Sequence, residues 1–135
     1  MDIEGMEPTI KVIAMPQDTN PDGDLFGGWI VSMMDLAGAV VAKRTARNRI
    51  VTVAMENIKF MKPVFVGDFL ECFARVIKVG RSSITVEVDA RVERRLTGDV
   101  EQVTEGCFIY VAIDDNRKPV PVHLDMREKP ARPKN

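Results

Sequence analysis

A single acidic side chain interrupts the longest apolar stretch of this sequence. The stretch runs from Trp29 to Ala42, Asp35 is its only charged residue, and Gly27 and Gly28 come directly before it. An element that is apolar on all sides has to be covered by the rest of the fold. A buried carboxylate is costly unless it is paired or used, and glycine lowers helix stability by about 1 kcal/mol relative to alanine. The sequence therefore predicts a covered helix that carries a site.

The hydropathy pattern around this helix predicts one α+β domain. We expect a helix of about 22 residues from an N-cap at Asp24 to Ala46, ended by Asn48 in the left-handed conformation. After Asn48 the period changes to two, which is typical of strands that bury one face. Gly80 and Arg81 predict a two-residue hairpin turn, and residues 96–99 a further turn. Strands are predicted at Thr9–Met15, Arg49–Phe60, Phe69–Val79, Ser82–Arg94 and Val103–Ile113.

The order of strand, long helix and four antiparallel strands favours a curved sheet wrapped around the helix. We assign residues 1–122 to this domain and residues 123–135 to a tail rich in proline and charge. One sheet and one helix leave open strand edges, so we expect dimerisation.

Composition excludes several classes of function. A net charge of −1 over 135 residues argues against a general nucleic-acid binder. The apolar run is too short for a membrane span, which needs about 20 residues, and the N-terminus lacks the features of a signal peptide. We therefore expect a cytoplasmic protein without a membrane partner, with Cys72 and Cys107 as free thiols.

Histidine and cysteine usage narrows the possible chemistry further. The only histidine, His123, lies in the tail, which leaves no Ser-His-Asp or Cys-His arrangement in the domain. One histidine and two separated cysteines do not build a typical metal site, so no metal is predicted. Phosphate-binding glycine motifs are also missing from the sequence.

Three segments resemble one family of enzymes. The stretch from Met15 to Asp35 is similar to the signature of hotdog-fold acyl-CoA thioesterases, and more narrowly to small bacterial acyl-CoA hydrolases related to the mammalian cytosolic and brown-fat enzymes. Two further pieces agree in order and spacing, at residues 51–63 and at residues 66–68 followed by 78–83. The resemblance covers about residues 9 to 122.

The resemblance implies a fold, a reaction and an assembly. The hotdog fold is a long helix wrapped by a curved antiparallel sheet, and its dimers commonly assemble as trimers of dimers with two active sites at each dimer interface. The reaction is hydrolysis of an acyl-CoA thioester to fatty acid and CoA, with no cofactor beyond the CoA of the substrate. The catalytic acid of the family falls on Asp35, its loop amide on Asn20, and its backbone donors on Gly27 and Gly28.

The hairpin after the third predicted strand falls where relatives hold the CoA phosphates. Arginine can bind phosphate bidentately, and serine hydroxyls and loop amides add further donors. The alternative is a solvated hairpin turn without a ligand. The candidate CoA-binding residues are Lys78, Gly80, Arg81, Ser82 and Ser83.

Spacing within the helix suggests that two chains share the site. Gly28 and Asp35 lie two turns apart, about 10 Å along the axis, which is too far for both to reach one small group in the same subunit. Asp35 could act as a general base for water or as a nucleophile.

Each of these assignments has a structural alternative. Asp35 could pair with a buried cation, the glycines could serve close packing, and Asn20 could hold its own loop in an Asx-turn. The alternative functions are a non-catalytic acyl-CoA binding or sensing module, a purely structural oligomer, and a hotdog hydratase or dehydratase, which typically needs a core histidine.

Overall fold

The computed structural model describes residues 1–122, and the predicted α+β architecture is confirmed there. One five-stranded antiparallel sheet, with strand order β1-β3-β4-β5-β2, curves around one helix. The predicted tail and His123 lie outside the described residues. The elements are β1 Ile10–Ile13, a 3-10 turn Pro16–Asp18, α1 Gly27–Ala46, β2 Arg49–Phe60, β3 Phe69–Val79, β4 Ser83–Glu93 and β5 Val100–Ile113.

The core lies between α1 and the concave face of the sheet. Met34 and Ala37 of the helix are fully buried there, and Phe108 and Tyr110 of β5 pack from the sheet side. The alternation predicted for the fourth strand is confirmed, because every second side chain of β4 is inaccessible to solvent. These side chains belong to Ile84, Val86, Val88, Ala90 and Val92.

The predicted end of α1 at Ala46 is confirmed, but the start of the helix and both capping residues differ from the prediction. Phe26, not Asp24, is the N-cap, and no side chain caps the helix. Asp24 is used in the preceding loop, where its N–H donates to the side chain of Asn20 at 3.1 Å. At the other end Arg47 adopts the left-handed conformation with φ 55° and donates its N–H to Lys43 O.

The ends of three strands and the position of one turn also differ from the prediction, and β4 is one residue shorter at each end, at Ser83–Glu93. β5 begins at Val100, because residues 100–102 extend the pairing with β4. The β3–β4 turn is shifted by one residue: the Gly80 N–H donates to Ser83 O at 2.8 Å, so Arg81 and Ser82 occupy the tip. β1 is short, covering only Ile10–Ile13.

The two cysteines are free thiols, as predicted. Cys72 is buried, and its burial raises the pKa of the thiol to about 12, with a smaller contribution from Asp89. Cys107 is half-buried, and burial also raises the pKa of its thiol. Within residues 1–122, no helix has the length and apolar character needed to cross a membrane.

Candidate functional site

Asp35 lies in the middle of α1 and carries no cationic partner among residues 1–122. Its Oδ1 accepts a hydrogen bond from Thr52 Oγ1 at 2.9 Å and another from the Tyr110 hydroxyl at 3.0 Å. The side chain is half-buried in the single chain, so the fully covered carboxylate that the apolar run suggested is not observed. Within residues 1–122, the donors to the Asp35 carboxylate are thus neutral hydroxyls. The predicted alternative, an ion pair between Asp35 and a buried cation, is excluded for these residues.

Tyr110 contacts Asp35 from the sheet side of the helix. Its side chain is inaccessible to solvent, and its hydroxyl also lies 2.9 Å from the carbonyl oxygen of Asp35. Burial raises the pKa of the Tyr110 phenol, and the nearby Asp35 carboxylate raises it further. Gly38 makes the approach possible, because a Cβ at that position would lie 2.2 Å from the hydroxyl oxygen.

Strand register explains why Thr52 and Tyr110 meet the same carboxylate. Thr52 of β2 is paired with Tyr110 of β5, which is paired with Ile84 of β4. Residues directly opposite in neighbouring antiparallel strands share one face of the sheet. The row therefore presents both hydroxyls to the helix, although they lie 17 and 75 residues from Asp35 in sequence.

The start of α1 offers backbone N–H groups without acceptors. The amides of Trp29 and Ile30 reach Phe26 O, but those of Gly27 and Gly28 meet no acceptor within the described part of the chain. A Cβ at Gly27 would lie 3.1 Å from the Phe60 ring, whereas a Cβ at Gly28 would meet nothing within 4 Å. Close packing thus accounts for Gly27 but gives no reason for Gly28 within one chain.

Asn20 closes its own loop and also lines a cleft. Its Oδ1 accepts the N–H groups of Asp22 at 2.9 Å and Asp24 at 3.1 Å, which is the predicted Asx-type alternative. Its side-chain NH2 has no acceptor among residues 1–122, so it remains available as a donor. Asn20 and Gly27 line the same cleft of about 330 Å³, whose other wall is residues 60–64.

An ion pair anchors the segment after that wall. Arg94 donates to the carboxylate of Asp68, to Pro63 O at 3.1 Å and to Glu101 Oε2 at 2.9 Å. Asp68 also accepts the Phe65 N–H at 2.8 Å. Because these bonds tie residues 63–68 to Arg94, directly after β4, and to β5, they fix one side of the cleft.

The β3–β4 tip presents the predicted CoA-binding side chains to solvent. Lys78 and Arg81 are exposed, and neither makes a salt bridge within residues 1–122. A Cβ at Gly80 would lie 2.6 Å from Ser83 Oγ, so a larger residue there would require the serine side chain to move. The Ser82 carbonyl accepts Ala112 N–H and the Arg81 carbonyl accepts Val122 N–H, so the backbone of the tip is held in place.

One chain does not bring all these residues together. The hairpin tip adjoins the row of Ile84 and Tyr110, on the same end of the sheet as the Asp35 contacts. At the start of α1, Gly27 lies beside Phe60 of β2. Phe60 is paired with Thr104 of β5, which is paired with Ala90 of β4. Ala90 and Ile84 are six residues apart, roughly 20 Å along a strand. Asn20 and Gly27 therefore lie near one end of the sheet, and Asp35 lies toward the opposite end.

The chain is similar to known thioesterases over most of its length. The sequence model of the thioesterase superfamily matches residues 22–98. The chain belongs to this superfamily. The acyl-CoA thioester hydrolase YciA of Salmonella typhimurium is 44% identical over 119 residues, which cover 86% of this chain and 90% of that protein.

Solved thioesterase structures share the fold. A hexameric hotdog fold thioesterase of Campylobacter jejuni is 40% identical, covers 91% of this chain and 95% of its own, and superimposes with a TM-score of 0.86. An acyl-CoA hydrolase from Staphylococcus aureus, solved with butyryl coenzyme A and coenzyme A, is 31% identical over 84% of this chain and 69% of its own, with a TM-score of 0.77. The predicted hotdog fold and the predicted family are confirmed.

Three residues around Asp35 were not predicted from the sequence of this thioesterase: Thr52, Tyr110 and Gly38. The one signal available was that Tyr110 is the only tyrosine and lies in the apolar C-terminal half of β5. A buried tyrosine hydroxyl usually finds a hydrogen-bond partner. Nothing in the sequence indicated that this partner would be Asp35.

Proposed function

We propose that this thioesterase hydrolyses acyl-CoA esters to free fatty acid and CoA, with Asp35 as the catalytic carboxylate. The observation that carries the proposal is the environment of Asp35. Its carboxylate is half-buried and accepts hydrogen bonds only from neutral hydroxyls of the described residues. A carboxylate without a bound cation keeps its charge available to activate water or to attack a carbonyl.

The complete site is proposed to form between two protomers. Asp35 of one chain would face the Gly27–Gly28 amides and Asn20 of its partner. An exposed apolar surface supports this pairing, because it runs beside Asp35 and along the edge strand β2 toward the start of α1. Such surfaces and open edges are typical of protein contacts. The surface consists of Phe26, Leu36, Val40, Val53, Met55 and Phe60.

The start of α1 supplies the electrostatic part of the mechanism. The free N–H groups of Gly27 and Gly28 and the positive end of the helix dipole suit the oxyanion that forms on the thioester carbonyl. One such donor contributes about 10²–10³ in rate. Asn20 lines the same cleft as Gly27, and its NH2 is proposed as a further donor.

The β3–β4 tip is proposed to hold the CoA phosphates. Arg81 and Lys78 are exposed and lack salt-bridge partners within residues 1–122, and Ser82 and Ser83 add hydroxyls beside them. The tip lies at the same end of the sheet as the residues that contact Asp35. CoA is substrate and product here, and the proposal needs no further cofactor.

The protein is proposed to form homodimers, three of which assemble into a trimer of dimers. Its proposed location is the cytoplasm. The Campylobacter jejuni relative is described as hexameric. The net charge of −1 and the free cysteines agree with a cytoplasmic enzyme that binds neither nucleic acid nor membrane.

Release of CoA thiol from acyl-CoA esters of increasing chain length tests this function. We expect turnover by the purified protein, and a loss of about 10²–10⁴-fold in kcat for Asp35→Ala. Asp99→Ala, which removes an exposed carboxylate at the β4–β5 turn, is the matched control and should keep full activity.

The same assay separates the alternative functions. Binding of acyl-CoA without thiol release by the unchanged protein would favour a non-catalytic binding module. Turnover that persists unchanged in Asp35→Ala would remove Asp35 from the mechanism while leaving the thioesterase activity in place.

A further inference from the structure

The two oxygens of the Asp35 carboxylate have different surroundings. Oδ1 accepts from Thr52 at 2.9 Å and from Tyr110 at 3.0 Å, and Tyr110 shares its single O–H with the Asp35 carbonyl oxygen at 2.9 Å. Oδ2 accepts no hydrogen bond within residues 1–122. Hydrogen bonds to a carboxylate oxygen stabilise its negative charge. The oxygen without donors is therefore the better base and the better nucleophile of the pair.

Tyr110 cannot move away from this contact without repacking the core. Its ring is inaccessible to solvent in the centre of the concave face. Its hydroxyl fits against Gly38, where a Cβ would come within 2.2 Å of the oxygen. The raised pKa of the phenol, caused first by burial and then by Asp35, keeps the hydroxyl protonated as a donor. The contact is thus fixed by shape and persists across the pH range of an assay.

We infer that Tyr110 is a positioning residue that binds Oδ1 of Asp35 and leaves Oδ2 as the reacting oxygen, with Gly38 providing the space that this contact needs. The inference rests on the proposed catalytic role of Asp35. As a base, Oδ2 takes a proton from water while the water oxygen attacks the thioester carbon. The C–S bond then breaks and the CoA thiolate recovers that proton. As a nucleophile, Oδ2 itself attacks the carbon, the thiolate leaves, and water later cleaves the anhydride.

The main test is Tyr110→Phe, which removes the hydroxyl and keeps the ring. We expect kcat to fall by about 10- to 100-fold, because Asp35 loses its fixed orientation, while KM stays within about twofold. Thr104→Val is the matched control. It removes another buried hydroxyl from the same face of β5, one without a hydrogen-bond partner among residues 1–122, and should leave kcat unchanged.

A double-mutant cycle separates positioning from a general structural role. If Tyr110 acts only through Asp35, Tyr110→Phe should have no further effect on the residual activity of Asp35→Ala. A further loss in that background would overturn the inference. Full kcat in Tyr110→Phe, with Asp35→Ala inactive, would also overturn it while leaving the proposed function intact.

A second measurement covers the case in which Tyr110→Phe does not assemble. Because Tyr110 is the only tyrosine, growth with 3-fluorotyrosine modifies this residue alone. The more acidic phenol should bind Oδ1 more strongly, which keeps the orientation of Asp35 but makes its carboxylate a weaker base and nucleophile. We therefore expect kcat to fall by at least about twofold at constant KM. An unchanged kcat in the fluorinated enzyme would count against the inference.

Discussion

Two carboxylates of this chain lie in opposite electrostatic surroundings. Asp68, in the segment after the cleft wall, is 3% exposed and is bonded to the Arg94 guanidinium and to the Phe65 N–H. Asp35, on α1, is half-buried and has only the hydroxyls of Thr52 and Tyr110 as partners among residues 1–122. The charge of Asp68 is committed to holding the chain together, whereas that of Asp35 remains available for chemistry.

The difference follows from the cost of leaving a charge uncompensated. Loss of one partner of a buried ion pair strands the other charge in a poorly solvated place. Loss of the charge on Asp35 affects only two neutral hydroxyl donors, at a position of the helix that is partly accessible to solvent. Stability should therefore depend on Asp68 and activity on Asp35.

The largest expected effect is a reversal between two isosteric substitutions. Asp35→Asn should lower kcat by about 10²–10⁴-fold with little change in the free energy of unfolding. Asp68→Asn should lower the free energy of unfolding by about 3 kcal/mol and keep measurable turnover in the molecules that remain folded. Urea denaturation and thiol-release kinetics on both variants test this.

Either of two results would contradict the comparison. One is an Asp35→Asn protein that is destabilised as strongly as Asp68→Asn. The other is an Asp68→Asn protein that is fully stable, which would show that Arg94 is satisfied by Glu101 and Pro63 alone.

Local features of this molecule were predictable and long-range contacts were not. The apolar run and its single charge identified α1 and Asp35, and the period of two gave β2 and β3 their observed ends. The partners of Asp35 come from strand register, in which Thr52 and Tyr110 align across β2 and β5. No local pattern encodes that alignment, because register depends on the bulges and turns of the whole sheet.

The error at the start of α1 has a similar cause. Asp24 has the chemistry of an N-cap, but Asn20 engages its N–H in the preceding loop. Competition between a cap and a neighbouring turn is decided by the path of the loop, which the residue types alone do not determine.

The second-largest expected effect is a difference in activity and stability between alanine substitutions at the two glycines that precede the apolar run. Gly28→Ala adds a methyl group to open space within the chain, so stability should hold or rise slightly, since alanine favours helix. Activity should fall about tenfold, because a carbonyl group that approaches the helix N-terminus closely needs the space of a glycine there. Gly27→Ala is the matched comparison: its methyl group meets the exposed Phe60 ring at 3.1 Å, so the ring has to shift and stability should gain less than in Gly28→Ala.

Thermal denaturation and kcat of the two glycine variants give the answer. A Gly28→Ala enzyme with full activity would mean that neither substrate nor a partner chain approaches this position. The proposed oxyanion site would then have to lie elsewhere on the helix.

The smallest effect concerns the pH dependence of the Arg94 network. A hydrogen bond from Lys62, and then one from Arg94, lowers the pKa of Glu101 below its ordinary value of 4.5. A carboxyl with a lowered folded-state pKa stabilises the fold above its ordinary pKa, and this contribution disappears as the pH falls through the lowered value. Wild type should therefore melt at a higher temperature than Glu101→Gln near pH 7, and the gap should close as the pH falls below 4.5.

The exposed Glu7 provides the control for this last comparison. Glu7 makes no ion pair within residues 1–122, so Glu7→Gln should melt like wild type at every pH. A gap between wild type and Glu101→Gln that stays constant down to strongly acidic pH would show that the carboxylate charge of Glu101 does not contribute. The segment at residues 63–68 would then be anchored by the ion pair between Asp68 and Arg94 alone. The comparison would then be between Asp68, which has one ion pair, and Asp35, which has none within residues 1–122.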